Sequence, residues 1–211
     1  MSEKSTQGRY DEYQNFAFHP YNILLMLTLA GVCALFLAFS GAYIYNGIQY
    51  DLPPVKLPWL FFANTLILLG SSYTMMWAKK SYLEDETENY KKALIWTMVL
   101  SFIFLGMQFV AWSQLFSNDV FVNSNNSASY LYLLSAVHFA HVIAGIPFLA
   151  MFLWTANKRM KEPVSVLIYF SDPEKRLKLR LLTIYWHFLD ALWIVLVIFL
   201  WLNYFLRAGI L

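Results

Sequence analysis

The chain has 211 residues, of which 59% are hydrophobic, 19% aromatic and only 13% charged. Because about a quarter of the residues in soluble domains are charged, this composition excludes an ordinary soluble globular protein. The formal net charge is only +2, and the sequence contains no basic patch suited to nucleic acid.

Five long stretches contain almost no charged residues, and each reaches the roughly 20 apolar residues that a helix needs to cross a bilayer. We therefore predict an all-α integral membrane bundle of five transmembrane helices. The bundle forms a single domain over residues 20–206, between an N-terminal segment 1–19 and a short tail 207–211. The predicted cores of the five spans are 20–46, 58–78, 93–116, 129–156 and 181–206.

The loops predict the orientation. With five spans, residues 1–19, the loop 79–92 and the loop 157–180 lie on one side of the membrane. They carry 13 of the 15 Lys and Arg residues, and the other side has only Lys56 and Arg207. Since cytoplasmic loops carry the excess of Lys and Arg, we expect a cytoplasmic N-terminal segment and an external C-terminal tail.

Histidines in the fourth and fifth spans are the first candidates for chemistry. His138 and His141 are three residues apart and share a helix face. With a carboxylate they could bind a transition metal. A haem would instead take one histidine from each of two helices, such as His138 or His141 with His187. The simpler interpretation is that these imidazoles form hydrogen bonds between helices.

Asp190 is the only Asp, Glu, Lys or Arg between Leu181 and Leu206. It lies three residues after His187, on the same helix face, and a carboxylate inside a membrane span indicates a function and needs a partner. It could belong to a proton relay or to a structural pair. We favour a structural pair with His187, flanked by Trp186 and Trp193, with His138 or His141 as a second contact.

Four segments carry a resemblance to a known family. YWHFLDALW (185–193) resembles the W-H-F-x-D-x-x-W signature in the last helix of subunit III of the haem–copper respiratory oxidases. LPWLFFANTLILLGSS (57–72) is similar to the family's proline and N-T-x-x-L-L-x-S-S segment. HFAHVIAG (138–145) is similar to its H-x-x-H-V-x-x-G segment, and GMQFVAW (106–112) lies where the family has L-Q-x-x-E-Y.

The resemblance implies an all-α subunit with no catalytic, cofactor or metal site of its own. Such subunits dock beside subunit I, which holds haems and copper, reduces O₂ and pumps protons. Their helices form two groups around a V-shaped cleft that holds phospholipid. The resemblance carries over five residues, which are His138, His141, Trp186, His187 and Asp190. Together with Asn64 of the N-T segment, they are the residues that we expect to form structural, lipid or interhelical polar contacts.

The five-helix form implies a bacterial cytoplasmic (inner) membrane. Subunits I and II are the expected partners, with subunit IV and a respiratory supercomplex as further ones. Cytochrome c is favoured over a quinol as the electron donor of the parent enzyme. Haems, copper and bound phospholipid are expected in the assembly, with no haem or copper in this chain.

Two positions depart from the family pattern. Gly31 and Val32 stand where the family has Ser-Glu, and Ala111 replaces the Glu of L-Q-x-x-E-Y. Proton handling by those two carboxylates is therefore not expected here, which favours a structural interpretation of Asp190.

Two other functions remain open at this point. One is a b-type haem electron carrier that uses His138 or His141 with His187. The other is a small membrane transporter, although five spans do not divide into equal inverted repeats.

Overall fold

A computed structural model describes residues 20–160 and 163–208, and this part of the chain is organised as six helices. Five of them are long and apolar enough to cross a membrane, which confirms the predicted all-α fold with five spans. The predicted segment 1–19 lies outside the described residues. The helices are α1 Pro20–Gln49, α2 Trp59–Leu83, α3 Thr87–Ser117, α4 Asn126–Arg159, α5 Pro163–Ser171 and α6 Pro173–Arg207.

The last helix begins at Pro173, earlier than the predicted span at 181. Asp172 caps it, because its carboxylate accepts hydrogen bonds from the backbone N–H groups of Glu174 and Lys175 at 3.0 and 3.4 Å. The Lys175 side chain also bonds to Asp172 and holds the pKa of that carboxyl below its usual value. A proline at the first helical position completes a strong start signal.

The two predicted loops on the basic side are largely helical. The turn between α2 and α3 spans only Glu84–Glu86, and the connection between α4 and α6 contains α5. Tyr169 and Phe170 of α5 pack against Tyr82 of α2, with ring centroids 6.0 and 5.1 Å away. The Tyr82 hydroxyl donates to the backbone oxygen of Tyr169 at 3.1 Å. We call this end of the bundle, with the α2–α3 turn and α5, the basic end.

Three polar turns share one backbone feature. Asp51, Asp85 and Asp119 all have positive φ angles, of 46°, 56° and 57°. They lie, in order, in the α1–α2, α2–α3 and α3–α4 connections. Aspartate tolerates the left-handed region better than bulky residues do, so these positions let the chain reverse between spans.

The helices pack as a ring of four with one helix outside it. Helix α2 contacts α3 and α6, and α4 completes the ring by contacting α3 and α6 as well. Helix α1 packs only against α4 and α6 among the long helices, apart from minor contacts, and is the least buried of the five spans. This arrangement differs from the two groups around a cleft that the resemblance implied, because α1 stands alone beside a continuous ring.

Arg207 fastens α1 to the bundle at the end opposite the basic end. Its guanidinium donates to the backbone oxygen of Gly47 at 2.7 Å and also to that of Leu52. Gly47 is in the last turn of α1, where backbone carbonyls lack partners in their own helix and attract cations. A Cβ on residue 47 would collide with the guanidinium, so glycine leaves the space that this contact needs.

Replacing Arg207 with Met should loosen this end of α1. Hydrogen bonds to a charged group contribute about 1.5–3 kcal/mol each, so we expect local stability to fall by about 2 kcal/mol or more. Amide hydrogen exchange over residues 46–52, followed by mass spectrometry, should become faster. Arg176→Met, at an exposed position of the same helix, is the control and should leave this exchange unchanged. Unchanged exchange in Arg207→Met would mean that the hydrogen bonds from Arg207 to Gly47 and Leu52 contribute no stability.

Candidate functional site: polar contacts of the last membrane helix

Two adjacent serines of α2 receive the polar side chains of α6. The Trp186 indole N–H donates to Ser71 Oγ at 2.9 Å, and His187 Nδ1 lies 2.7 Å from Ser72 Oγ. The same Ser72 hydroxyl is close enough to Asp190 to interact with its carboxyl group. A single hydroxyl therefore lies beside both the imidazole and the carboxyl group of the last helix.

We expected a direct pair between His187 and Asp190, but among the described residues His187 bonds to Ser72 and no hydrogen bond or ion pair joins it to Asp190. The three ion pairs found among residues 20–160 and 163–208 all lie at the basic end, away from Asp190. Both side chains lie near Ser72 of α2. Asp190 is only 4% exposed, and its Oδ2 atom has no hydrogen-bond partner within the described part of the chain.

His138 contacts the backbone beside Asp190, where we had considered a contact with its carboxyl group. The imidazole is fully buried, and its Nε2 lies 3.0 Å from the backbone oxygen of Leu189. Because a carbonyl oxygen only accepts, Nε2 carries the hydrogen and Nδ1 is the free acceptor. This bond joins α4 to α6.

His141 contributes mainly to packing between α4 and its neighbours. Its Nδ1 lies 2.7 Å from the Val137 backbone oxygen of the same helix. The Tyr185 hydroxyl of α6 donates to the backbone oxygen of His141 at 2.9 Å. The imidazole meets the Phe36 ring of α1 edge-on, with centroids 6.5 Å apart. His141 thus lies where three helices meet.

Asn64 forms the corresponding contact between α2 and α3. Its amide nitrogen donates to Gln108 Oε1 at 2.9 Å, and both side chains are fully buried. The two positions where the family pattern has acids lie elsewhere in the bundle and are apolar: Val32 is 5% exposed and Ala111 is fully buried.

Together these contacts join helices to one another. Each of the three imidazoles already has one ring nitrogen in a protein hydrogen bond. Among the described residues, no three His, Cys, Asp or Glu side chains come close enough to hold a metal ion. Polar groups in a membrane interior need partners, and here most of them find partners on a neighbouring helix.

Sequence reasoning missed the residues that receive these side chains. Ser71, Ser72, Gln108 and Gly145 all lie inside the quoted segments, but they were given no role. The available signal was small or uncharged polar residues at helix positions in apolar spans, which are enriched at helix contacts in membranes.

The fold and the site define a class: an all-α, multi-pass membrane protein in which several buried polar groups bind partners on neighbouring helices. A family model described as cytochrome c oxidase subunit III matches residues 40–205. The match covers most of the chain, and the chain belongs to this family.

Curated relatives agree with this assignment. Cytochrome c oxidase subunit 3 of Synechocystis is 28% identical over an alignment of 183 residues, and the match covers 84% of this chain and 73% of the relative. The Neurospora crassa protein of the same name is 26% identical and matches 84% of this chain and 65% of its own length. The Thermostichus vulcanus protein of the same name is 26% identical, and the match covers 75% of this chain and 74% of that protein. For the goldfish relative, Carassius auratus, the match spans about half of its length, 54%.

Gly145 provides a direct test of the α4–α6 contact. A Cβ there would lie 2.9 Å from the Trp186 ring and 3.1 Å from the Tyr185 ring. We expect Gly145→Ala to push Trp186 away from Ser71 and to cost about 1–3 kcal/mol through overpacking. Thermal unfolding in detergent, with tryptophan fluorescence, would measure both effects.

Gly106→Ala is the matched control, because nothing lies within 4 Å of that position. Alanine has the higher helix propensity, so this control should be neutral or more stable by up to about 1 kcal/mol. Equal stability of the two variants would contradict the close contact at Gly145.

Proposed function

We propose that this chain is the non-catalytic subunit III of a proton-pumping terminal oxidase and docks on the catalytic subunit I. The observation that carries the proposal is the family match over residues 40–205, which includes all of α2, α3 and α4. The α6 signature is part of the same match, and its side chains bind protein groups in other helices. Its contribution to aerobic respiration is then support of an enzyme whose O₂ chemistry takes place in another subunit.

The proposal places the haems and copper in the partner subunits. Subunits I and II are the primary partners, and subunit IV and a respiratory supercomplex are further ones. Cytochrome c is the proposed electron donor of the assembly, in accordance with the names of the relatives. The membrane is a bacterial cytoplasmic (inner) membrane, which the two cyanobacterial relatives support.

The proposed orientation has the basic end in the cytoplasm. This end holds exposed lysines of α2, α3 and α4, and the charged first turns of α6. The opposite end has only Lys56 and Arg207, and Arg207 is engaged with backbone oxygens of α1 and the loop after it. Residues 20–206 then form one transmembrane domain, with 1–19 cytoplasmic and 207–211 external.

Bound phospholipid belongs to the proposal as well. Among the long helices α1 packs mainly against α4 and α6, and it is the least buried of the five spans. Large apolar side chains are exposed on its surface, among them Leu24, Met26, Leu27 and Leu37. Acyl chains would cover such a surface in the membrane.

Co-purification in mild detergent tests the main proposal. An affinity tag on this chain should retain a partner that contains haem and copper, in equal amount. The isolated chain should show no b-type haem absorption. A stoichiometric haem band in the isolated chain would support the electron-carrier alternative and would refute the proposal.

Asp190 is proposed to hold α6 in place. In Asp190→Ala the Ser72 hydroxyl loses one partner, at a cost of order 1 kcal/mol, since measured interhelical polar contacts in membranes average below that value. We expect weaker retention of this subunit in the purified oxidase and a nearly unchanged initial rate of electron transfer. Ser72→Ala should have a similar effect, and the double variant should lose less than the sum of the two.

Val195→Ala is the control for this pair, because Val195 is on the same helix and is exposed. It should leave retention unchanged. If Asp190→Asn or Asp190→Ala abolishes initial turnover while the subunit stays fully bound, Asp190 is a proton-transfer residue instead.

A further inference from the structure

Trp193 of α6 lies at the centre of the four-helix ring. It is fully buried, stacks on Phe61 of α2 at 5.6 Å between centroids and meets Phe104 of α3 edge-on at 5.2 Å. The His138 ring of α4 is 4.8 Å from it. One side chain from each of the four ring helices thus meets at this point, which we call the Trp193 centre.

Five buried polar atoms, on residues of the Trp193 centre or about one helical turn from them, have no hydrogen-bond partner among the described residues. Asn64 is three residues after Phe61, Gln108 is four residues after Phe104, and Asp190 is three residues before Trp193. Each of these three residues is therefore about one turn, or roughly 5.4 Å along the axis of its own helix, from a residue of the centre. The atoms are Asn64 Oδ1, Gln108 Nε2, His138 Nδ1, Asp190 Oδ2 and Trp193 Nε1.

The chemistry of these atoms specifies the ligand that would satisfy them. The indole of Trp193 and the amide nitrogen of Gln108 can only donate. Asn64 Oδ1 can only accept, and so can His138 Nδ1, because the hydrogen of that ring is on Nε2. The unpaired N–H groups of Trp193 and Gln108 would repel a cation. The unpaired lone pairs of Asn64 and His138 would repel an anion. A small neutral molecule that both donates and accepts fits the set, and water is such a molecule.

We propose that the Trp193 centre is a binding site for ordered water, shared by α2, α3, α4 and α6. Buried waters in proteins typically make about three hydrogen bonds to polar groups that otherwise lack partners. Here they would connect four helices through one hydrogen-bonded cluster, at the level where Asn64 bonds to Gln108. The inference concerns the interior of this chain alone and does not depend on its partners.

Water-edited solid-state NMR of the full chain in lipid bilayers tests the site, with ¹⁵N in the tryptophan indoles. Trp193→Phe and Trp186→Phe identify two of the signals by their loss. Trp186 is the internal control, because its indole already donates to Ser71 at 2.9 Å. We expect magnetisation from water to reach the Trp193 indole quickly and the Trp186 indole slowly.

A second pair of variants distinguishes water bound at the Trp193 centre from water elsewhere around the protein. Gln108→Met removes one buried donor while keeping a side chain of similar length, and it should reduce the transfer from water to Trp193. Gln114→Met, at an exposed position of the same helix, should not. If Trp193→Phe fails to fold, the signal that weakens in Gln108→Met identifies Trp193. Transfer to Trp193 that is no faster than to Trp186, or the absence of any signal that responds to Gln108→Met, would overturn the proposal.

Discussion

Polar groups inside a membrane must find their partners within the protein, because hydrocarbon offers none. Helix α6 is where this constraint acts most strongly, since Trp186, His187 and Asp190 follow one another within five residues. Ser71 and Ser72 of α2 provide the partners: Ser71 for Trp186, and Ser72 for His187 and for the carboxyl group of Asp190. The position of α6 beside α2 follows from these bonds, and the bond from His138 to the Leu189 backbone oxygen places α4 on its other side.

Small residues make these bonds possible. A serine hydroxyl is short, so Trp186 and His187 can bind it only if the axes of α2 and α6 are close. On the opposite side, Gly145 lets α4 approach the Trp186 and Tyr185 rings within contact distance. Close packing of small residues and interhelical hydrogen bonding are the forces that associate helices in a bilayer, where the hydrophobic effect between helices is weak.

The five spans could be predicted because a helix that crosses the bilayer needs a long stretch of residues with almost no charge. The start of α6 could not be predicted from that criterion, because residues 173–180 are charged and yet helical, with Asp172 as the cap. The pair that we expected between His187 and Asp190 is not observed, for a related reason. Spacing within one helix shows that His187 and Asp190 share a face, but it does not show what faces them. Ser72 is 115 residues away from His187 in the chain.

The hydrogen bond between Arg207 and Gly47 has a consequence for the synthesis and membrane insertion of the protein. The two residues are 160 positions apart, so the ribosome completes nearly the whole membrane domain before the guanidinium exists. During synthesis α1 enters the bilayer with no ring to pack against, and its fastening comes after α4 and α6 have been inserted. Helix α1 is therefore translated well before it is secured, which gives insertion factors or a neighbouring chain a period in which to engage it.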